Sequence, residues 1–207
     1  MSSVSSIDCY LVDDDEAFRV SLVALLTASG YPTTAFATTE EFLSALPSLD
    51  PGIVLLDLRM PGVNGLDMLE QQAAKLERFA VVMISGHGDI ERAVRSIQAG
   101  AVEFIEKPFE PSQLLTMLEA VGERLAAKRT QLDQRHGAAS RVALLSPREL
   151  EVLRMLLAGS PNKIVARTLD LSVRTVEMHR AHMLSKLSAK STAEALHIAM
   201  LADVAPW

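Results

Sequence analysis

Along the first half of the chain, apolar residues recur with two alternating periods. Runs of strand length occur at "DCYLV" (8 to 12), "TTAF" (33 to 36), "GIVLLD" (52 to 57), "AVVMIS" (80 to 85) and "VEFIE" (102 to 106). Between them, helical spacing covers residues 16 to 28, 39 to 46, 65 to 76, 89 to 98, and 111 into the 120s. Thr38 with Glu41 three residues on is a capping-box signature, Pro111 stands in a first-turn position, and Gly30 and Gly100 fall where left-handed residues end helices. The third and fourth strands are nearly unbroken apolar runs, as strands covered on both faces must be. The pattern predicts an α/β fold with a doubly wound, five-stranded parallel sheet.

The second half contains only helical patterns. "SPRELEVLRMLLA" (146 to 158) opens with Ser146 as cap, Pro147 in the first turn and Glu149 to complete a capping box, and Leu150, Val152, Leu153, Leu156 and Leu157 form one stripe. A short helix at 162 to 170, a turn at Leu171 and Ser172, a helix at 173 to 187 and a last one from about Thr192 complete an all-α, four-helix domain. Two of these helices joined by a tight turn make a helix-turn-helix signature. Residues 111 to about 135 read as one long helix, with Leu114, Leu118, Val121 and Leu125 at spacings of three and four. Residues 128 to 142 read as a linker that begins helical and ends loose, between a first domain at 1 to 127 and a second at 143 to 207.

Charge sharpens this division. The net charge of −6 is the sum of −11 over residues 1 to 127 (8 Asp and 11 Glu against 2 Lys and 6 Arg) and +5 over residues 128 to 207 (7 acids against 12 bases). An acidic unit precedes a basic one, and the basic one suits a polyanion partner. There is no uncharged apolar run of eighteen residues and no basic-then-apolar leader at "MSSVSSIDCY", so the chain is expected to be cytoplasmic with no membrane partner. The single Cys9 lies in a strand pattern, where a buried, inert thiol is expected.

In a doubly wound sheet, ligands bind beyond the carboxyl ends of the strands. Those ends carry Asp13, Asp14 and Asp15 after the first strand, Asp57 on the third, Ser85 on the fourth and Lys107 after the fifth. Clustered carboxylates stay ionised together only beside a cation, and a few of them with substrate phosphate suit Mg²⁺. Asp57, alone on a central strand, is the candidate nucleophile for a phosphoryl group. Lys107 and Ser85 would hold phosphoryl oxygens. Asp15 is placed to cap the helix that begins at Glu16. No Gly-rich nucleotide loop follows the first strand, so the phosphoryl group is expected to arrive on another carrier.

The motifs "LVDDDE", "LLDLRMPGVNGLDML", "ISGHGD" and "GAVEFIEKPF" resemble those of the flavodoxin-like receiver domain of two-component response regulators. That resemblance implies Asp57 as the phosphoacceptor, with Asp13, Asp14, Asp57 and the Arg59 carbonyl around Mg²⁺. It also implies a cis Lys107–Pro108 bond, a Ser85 and Phe104 switch pair, and Arg59 and His87 tuning the lifetime of the phosphoryl group. Residues 144 to 202 resemble LuxR-type helix-turn-helix domains, and "GHGD", "EFIEKPFE", "SPNK" and "RTVEMHRA" are similar to the FixJ subgroup.

On the helix at 173 to 187, Val176, Met183 and Leu187 share a core stripe opposite Arg174, Glu177, Met178, Ala181 and Ser185, with Arg180 and Lys186 on the flanks. The resemblance implies Glu177, Met178 and Ala181 against bases, with Asn162, Lys163, Arg174, Thr175, His179, Arg180 and Lys186 also at the DNA. It implies a transcription activator that is not a turnover enzyme and that takes its phosphoryl group from a sensor histidine kinase. Once phosphorylated, the chain would pair through its receiver as a homodimer on double-stranded DNA and engage RNA polymerase. Two other readings stay open at this level: a regulator acting by protein antagonism, and a metal-dependent phosphatase using the acidic cluster.

Overall fold

A computed structural model of the chain describes residues 7–86 and 90–207. It divides into two compact units, Met1–Ala127 and Lys128–Trp207. The first unit holds β1 (Cys9–Val12), α1 (Glu16–Ala28), β2 (Thr33–Phe36), α2 (Thr39–Ala45), β3 (Ile53–Asp57), α3 (Gly65–Leu76), β4 (Ala80–Ser85), α4 (Ile90–Gln98), β5 (Glu103–Glu106) and the start of α5 (Pro111–Val142). All pairings are parallel, in the order β2-β1-β3-β4-β5.

Strand periodicity sorts the core into two layers, because neighbouring residues of a strand point to opposite faces. Tyr10, Val12, Val54, Leu56, Val81 and Met83 meet Phe42 of α2 and Met68 and Leu69 of α3 on one face. Cys9, Leu11, Ile53, Leu55, Val82 and Ile84 meet Leu22 and Leu26 of α1 and Leu114 and Leu118 of α5 on the other. The Cys9 thiol is buried, and that burial pushes its pKa up to about 12, so it stays protonated and inert. Gly30 and Gly100 have φ of 89° and 108°, the left-handed region expected of them. Thr38 caps α2 at the Glu41 N–H, but the Glu41 carboxylate returns to the Ala37 N–H rather than to Thr38 itself, so the capping box is offset by one residue.

Among the described residues of the second unit, the remaining elements are helices: α6 (Pro147–Leu157), α7 (Asn162–Thr168), α8 (Val173–Lys186) and α9 (Thr192–Leu201). Val176, Met183 and Leu187 lie in its core as expected, with Val152, Leu153, Leu156, Ala195 and Ile198. The capping box of Ser146 and Glu149 is complete.

The stretch expected to end loosely differs. Helix α5 continues to Val142, and Ala138 is fully buried in the second unit's core beside half-buried Val142 and Leu145. A small residue fills that contact, so "RHGAAS" carries no apolar stripe to announce it.

Candidate functional site

The parallel register brings distant residues together at the carboxyl edge of the sheet. Asp13 directly follows β1 and Asp57 ends the adjacent β3. Lys107 follows β5, its backbone N–H held by the Ser85 carbonyl at 2.7 Å. Its Nζ donates to Asp13 Oδ2 at 2.6 Å and to Asp57 Oδ1 at 2.8 Å. The remaining carboxylate oxygens are also engaged: Asp13 Oδ1 accepts from the Asp15 N–H at 2.9 Å, and Asp57 Oδ2 from the Arg59 N–H at 2.7 Å. The Lys107–Pro108 peptide bond is cis.

Asp13 and Asp57 are buried, whereas Asp14 and Asp15 are exposed. Asp15 Oδ1 accepts from the Phe18 N–H at 3.0 Å, making it the cap of α1. The three consecutive aspartates therefore do three things: Asp13 faces Lys107, Asp14 faces solvent and Asp15 closes the helix. Burial pushes the Asp57 carboxyl above its ordinary value, with Lys107 and the Arg59 N–H drawing it part of the way back. For Lys107 burial works to lower the pKa, but the two carboxylates outweigh it and raise the value, so the ammonium stays charged.

Ser85 is fully buried and its hydroxyl donates to the Gly86 carbonyl at 3.1 Å. Phe104 is half-buried against the core beside Met83, its register partner. His87 lies outside the described residues.

Among the described residues, no three His, Cys, Asp or Glu side chains come together as a metal cage. Lys107 bridges two of the expected trio, Asp13 and Asp57, while the third, Asp14, is exposed. The donors at hand are all oxygens: two buried carboxylates with spare lone pairs, one exposed carboxylate and a backbone carbonyl. That set fits a hard cation that keeps most of its waters.

Sequence reasoning missed several neighbours. The Arg19 guanidinium donates to the Asp13 carbonyl at 2.7 Å, the Phe18 ring lies 3.8 Å from Lys107 Nζ, and Phe109 meets Phe18 edge-on. Gly65 backs so closely onto Asp57 that a Cβ there would come within 2.1 Å of the Asp57 carbonyl oxygen. The one signal for Phe18 and Arg19 was their position in the first turn after the aspartates.

In the second unit, Arg174, Glu177, Met178 and Ala181 are exposed on α8 and Lys163 is exposed on α7. Thr175 and His179 are half-buried, and Thr175 Oγ1 bonds the Ser172 hydroxyl at 2.8 Å. Three further expected DNA contacts, Arg180, Asn162 and Lys186, are engaged within the unit. Arg180 donates to Asn162 Oδ1 at 2.6 Å and to Thr192 Oγ1 at 2.7 Å, tying α8 to α7 and α9. Lys186 Nζ donates to Glu149 Oε2 at 2.7 Å.

Comparison with known proteins agrees with this architecture. Residues 9–119 match the response regulator receiver domain, and residues 143–199 match the luxR family of bacterial regulatory proteins. The chain belongs to the two-component response regulators of the FixJ subgroup, which join a receiver to a LuxR-type helix-turn-helix domain and act as phosphorylation-dependent transcriptional regulators. It is 43% identical over 197 residues to the transcriptional regulatory protein FixJ of Bradyrhizobium diazoefficiens, covering 94% of this chain and 95% of that one. Against FixJ of Rhizobium meliloti the identity is 38%, covering 95% and 97%. The crystal structure of full-length FixJ from B. japonicum superposes with a TM-score of 0.61 at 40% identity, covering 97% of this chain and 98% of that chain. The response regulator StyR superposes with 0.83 at 33% identity, covering 93% and 98%.

Receivers take up their own phosphoryl group, generally with Mg²⁺, so the chain is a regulator and not a turnover enzyme. Its partners are a cognate histidine kinase and DNA. No helix among the described residues is long and apolar enough to cross a membrane.

Proposed function

We propose that Asp57 accepts a phosphoryl group from the phosphohistidine of a partner kinase, and that this activates transcription by pairing two chains on DNA. The observation that supports it most is the Lys107 ammonium shared between Asp13 and Asp57 at the strand ends. A carboxylate oxygen of Asp57 attacks phosphorus, the P–N bond breaks as the O–P bond forms, and the departing imidazole nitrogen takes a proton from solvent. Lys107 is already within 2.8 Å of Asp57, where it can exchange a carboxylate oxygen for a phosphoryl oxygen without moving far. The Arg59 N–H holds the other Asp57 oxygen.

Asp13, Asp14, Asp57 and the Arg59 carbonyl would hold Mg²⁺, which supplies neutralisation of the charge on the transferring oxygens. Ser85 reorients from the Gly86 carbonyl toward the phosphoryl group, and Phe104 turns further into the core space behind it, so that receivers pair. By the family resemblance, Arg59 and His87 set how easily water reaches the acyl phosphate.

The paired chains place two α8 helices in successive major grooves. Glu177, Met178 and Ala181 face base edges, and Lys163, Arg174, Thr175 and His179 contact the backbone. Arg180 and Asn162 hold the two helices of the motif together, and Lys186 anchors the end of α8. The test is binding-site selection followed by in vitro transcription with a cognate polymerase. Asp57→Asn is expected to take up no label and to give no donor-dependent transcription. An Asp57→Asn chain that still responds overturns the proposal.

A further inference from the structure

We propose that Phe18 is a positioning residue for Lys107: its ring face holds the ammonium between Asp13 and Asp57 while the phosphoryl group is taken up. An ammonium has three N–H donors. Two of them serve Asp13 Oδ2 and Asp57 Oδ1. The Phe18 ring covers a further side of the nitrogen, its centroid 3.8 Å from Nζ. The negative face of an aromatic ring attracts a cation, more so where water is partly excluded. Lys107 meets that condition, with its side chain only 25% exposed.

The ring is itself held in place. Phe109, two residues past Lys107, meets it edge-on at a centroid distance of 6.2 Å and an interplanar angle of 81°. The Phe18 backbone N–H is fixed by the Asp15 cap of α1, and the next residue, Arg19, donates to the Asp13 carbonyl. The first turn of α1 thus ties the acidic loop and the aromatic face to one rigid element.

The contact has a particular use because it does not depend on the state of Asp57. When Asp57 becomes an acyl phosphate, its oxygen no longer offers Lys107 a full carboxylate charge. The ring face is unchanged by that step and keeps the ammonium at the strand ends, where the phosphoryl oxygens arrive. A branched aliphatic side chain of similar bulk would fill the space without attracting the charge.

The inference rests on Asp57 as the acceptor, and the experiment separates the two. The full-length chain is mixed with acetyl phosphate and Mg²⁺; the Asp57 oxygen bonds phosphorus, the donor's P–O bond breaks and acetate leaves. Phe18→Leu is expected to lower the maximal rate of uptake about three- to tenfold, the range of a partly desolvated cation–π contact, with half-saturation by donor unchanged. Phe18→Tyr keeps the ring and is expected within about twofold of the parent. In the unphosphorylated chain, the Lys107 ε-methylene protons, assigned by their loss in Lys107→Arg, are expected upfield of the other lysines, and back among them in Phe18→Leu.

Should Phe18→Leu fail to melt cooperatively, Phe18→Met carries the same comparison. Uptake in the aliphatic variant equal to the parent, a Tyr variant as slow as the aliphatic one, or unshifted Lys107 protons each overturn the inference. Uptake by Asp57→Asn would instead overturn the acceptor assignment.

Discussion

Replacing Lys186 with methionine separates two roles that a basic residue on a recognition helix can have. Glu149 is buried in the second unit, its side chain 4% exposed, and its Oε2 accepts from both Lys186 Nζ and the Ser146 N–H at 2.7 Å. Burial by itself would raise the Glu149 pKa, but Lys186 and Ser146 together hold it below the ordinary value. Lys186→Met leaves a buried carboxylate with its Ser146 contact alone. Breaking a fully buried pair costs about 3–5 kcal/mol, but Lys186 is 40% exposed and water can partly replace it, which brings the expected loss to about 2 kcal/mol.

The assay is urea unfolding of the full chain followed by fluorescence of Trp207, the only tryptophan, which lies in the second unit. The sign of the pH dependence follows from the depressed pKa. The pair's contribution is fully present above the ordinary glutamate value of 4.5 and is lost as pH falls through the folded value, so the gap between parent and variant narrows in acid. If Lys186→Met unfolds like the parent at neutral pH, and instead flattens the salt dependence of DNA binding by about one phosphate contact, the assignment of Lys186 as an internal anchor is wrong.

Other substitutions probe the remaining features. Gly65→Ala forces a Cβ to within 2.1 Å of the Asp57 carbonyl oxygen; phosphoryl uptake should fall at least about tenfold and the receiver should melt earlier, with normal uptake refuting the tight fit. Asp15→Ala removes the cap of α1 and should cost about 1 kcal/mol in unfolding while leaving most uptake intact, whereas Asp14→Asn should leave stability alone and raise the Mg²⁺ needed for uptake. Arg174→Ala should weaken DNA binding across sequences and flatten its salt dependence, while Arg180→Ala should destabilise the second unit by about 1–3 kcal/mol through loss of its bonds to Asn162 and Thr192.

Features written into local periodicity were legible from residue order. The five strands, the helix starts at Ser146 and Ser172, and the gathering of Asp13, Asp57, Ser85 and Lys107 at one sheet edge all follow from hydrophobic spacing and the winding rule. Features that depend on which side chain reaches which partner were not. Arg180 and Lys186 look like free cations on a basic helix until Asn162, Thr192 and Glu149 are placed beside them. Ala138 is too small to mark a core position by pattern, so the extension of α5 to Val142 went unread. Phe18 reads as an ordinary helix residue, and its meaning lies in a lysine eighty-nine positions away.

The central claim is that phosphorylation of Asp57 controls DNA binding by the second unit. It is tested most directly by titrating a selected duplex with the parent chain and with Asp57→Asn, each with and without an acyl-phosphate donor, at fixed salt. The donor should tighten binding and steepen its concentration dependence for the parent, as pairing requires, and leave Asp57→Asn unchanged. Equal tightening in both chains, or in neither, would contradict the account.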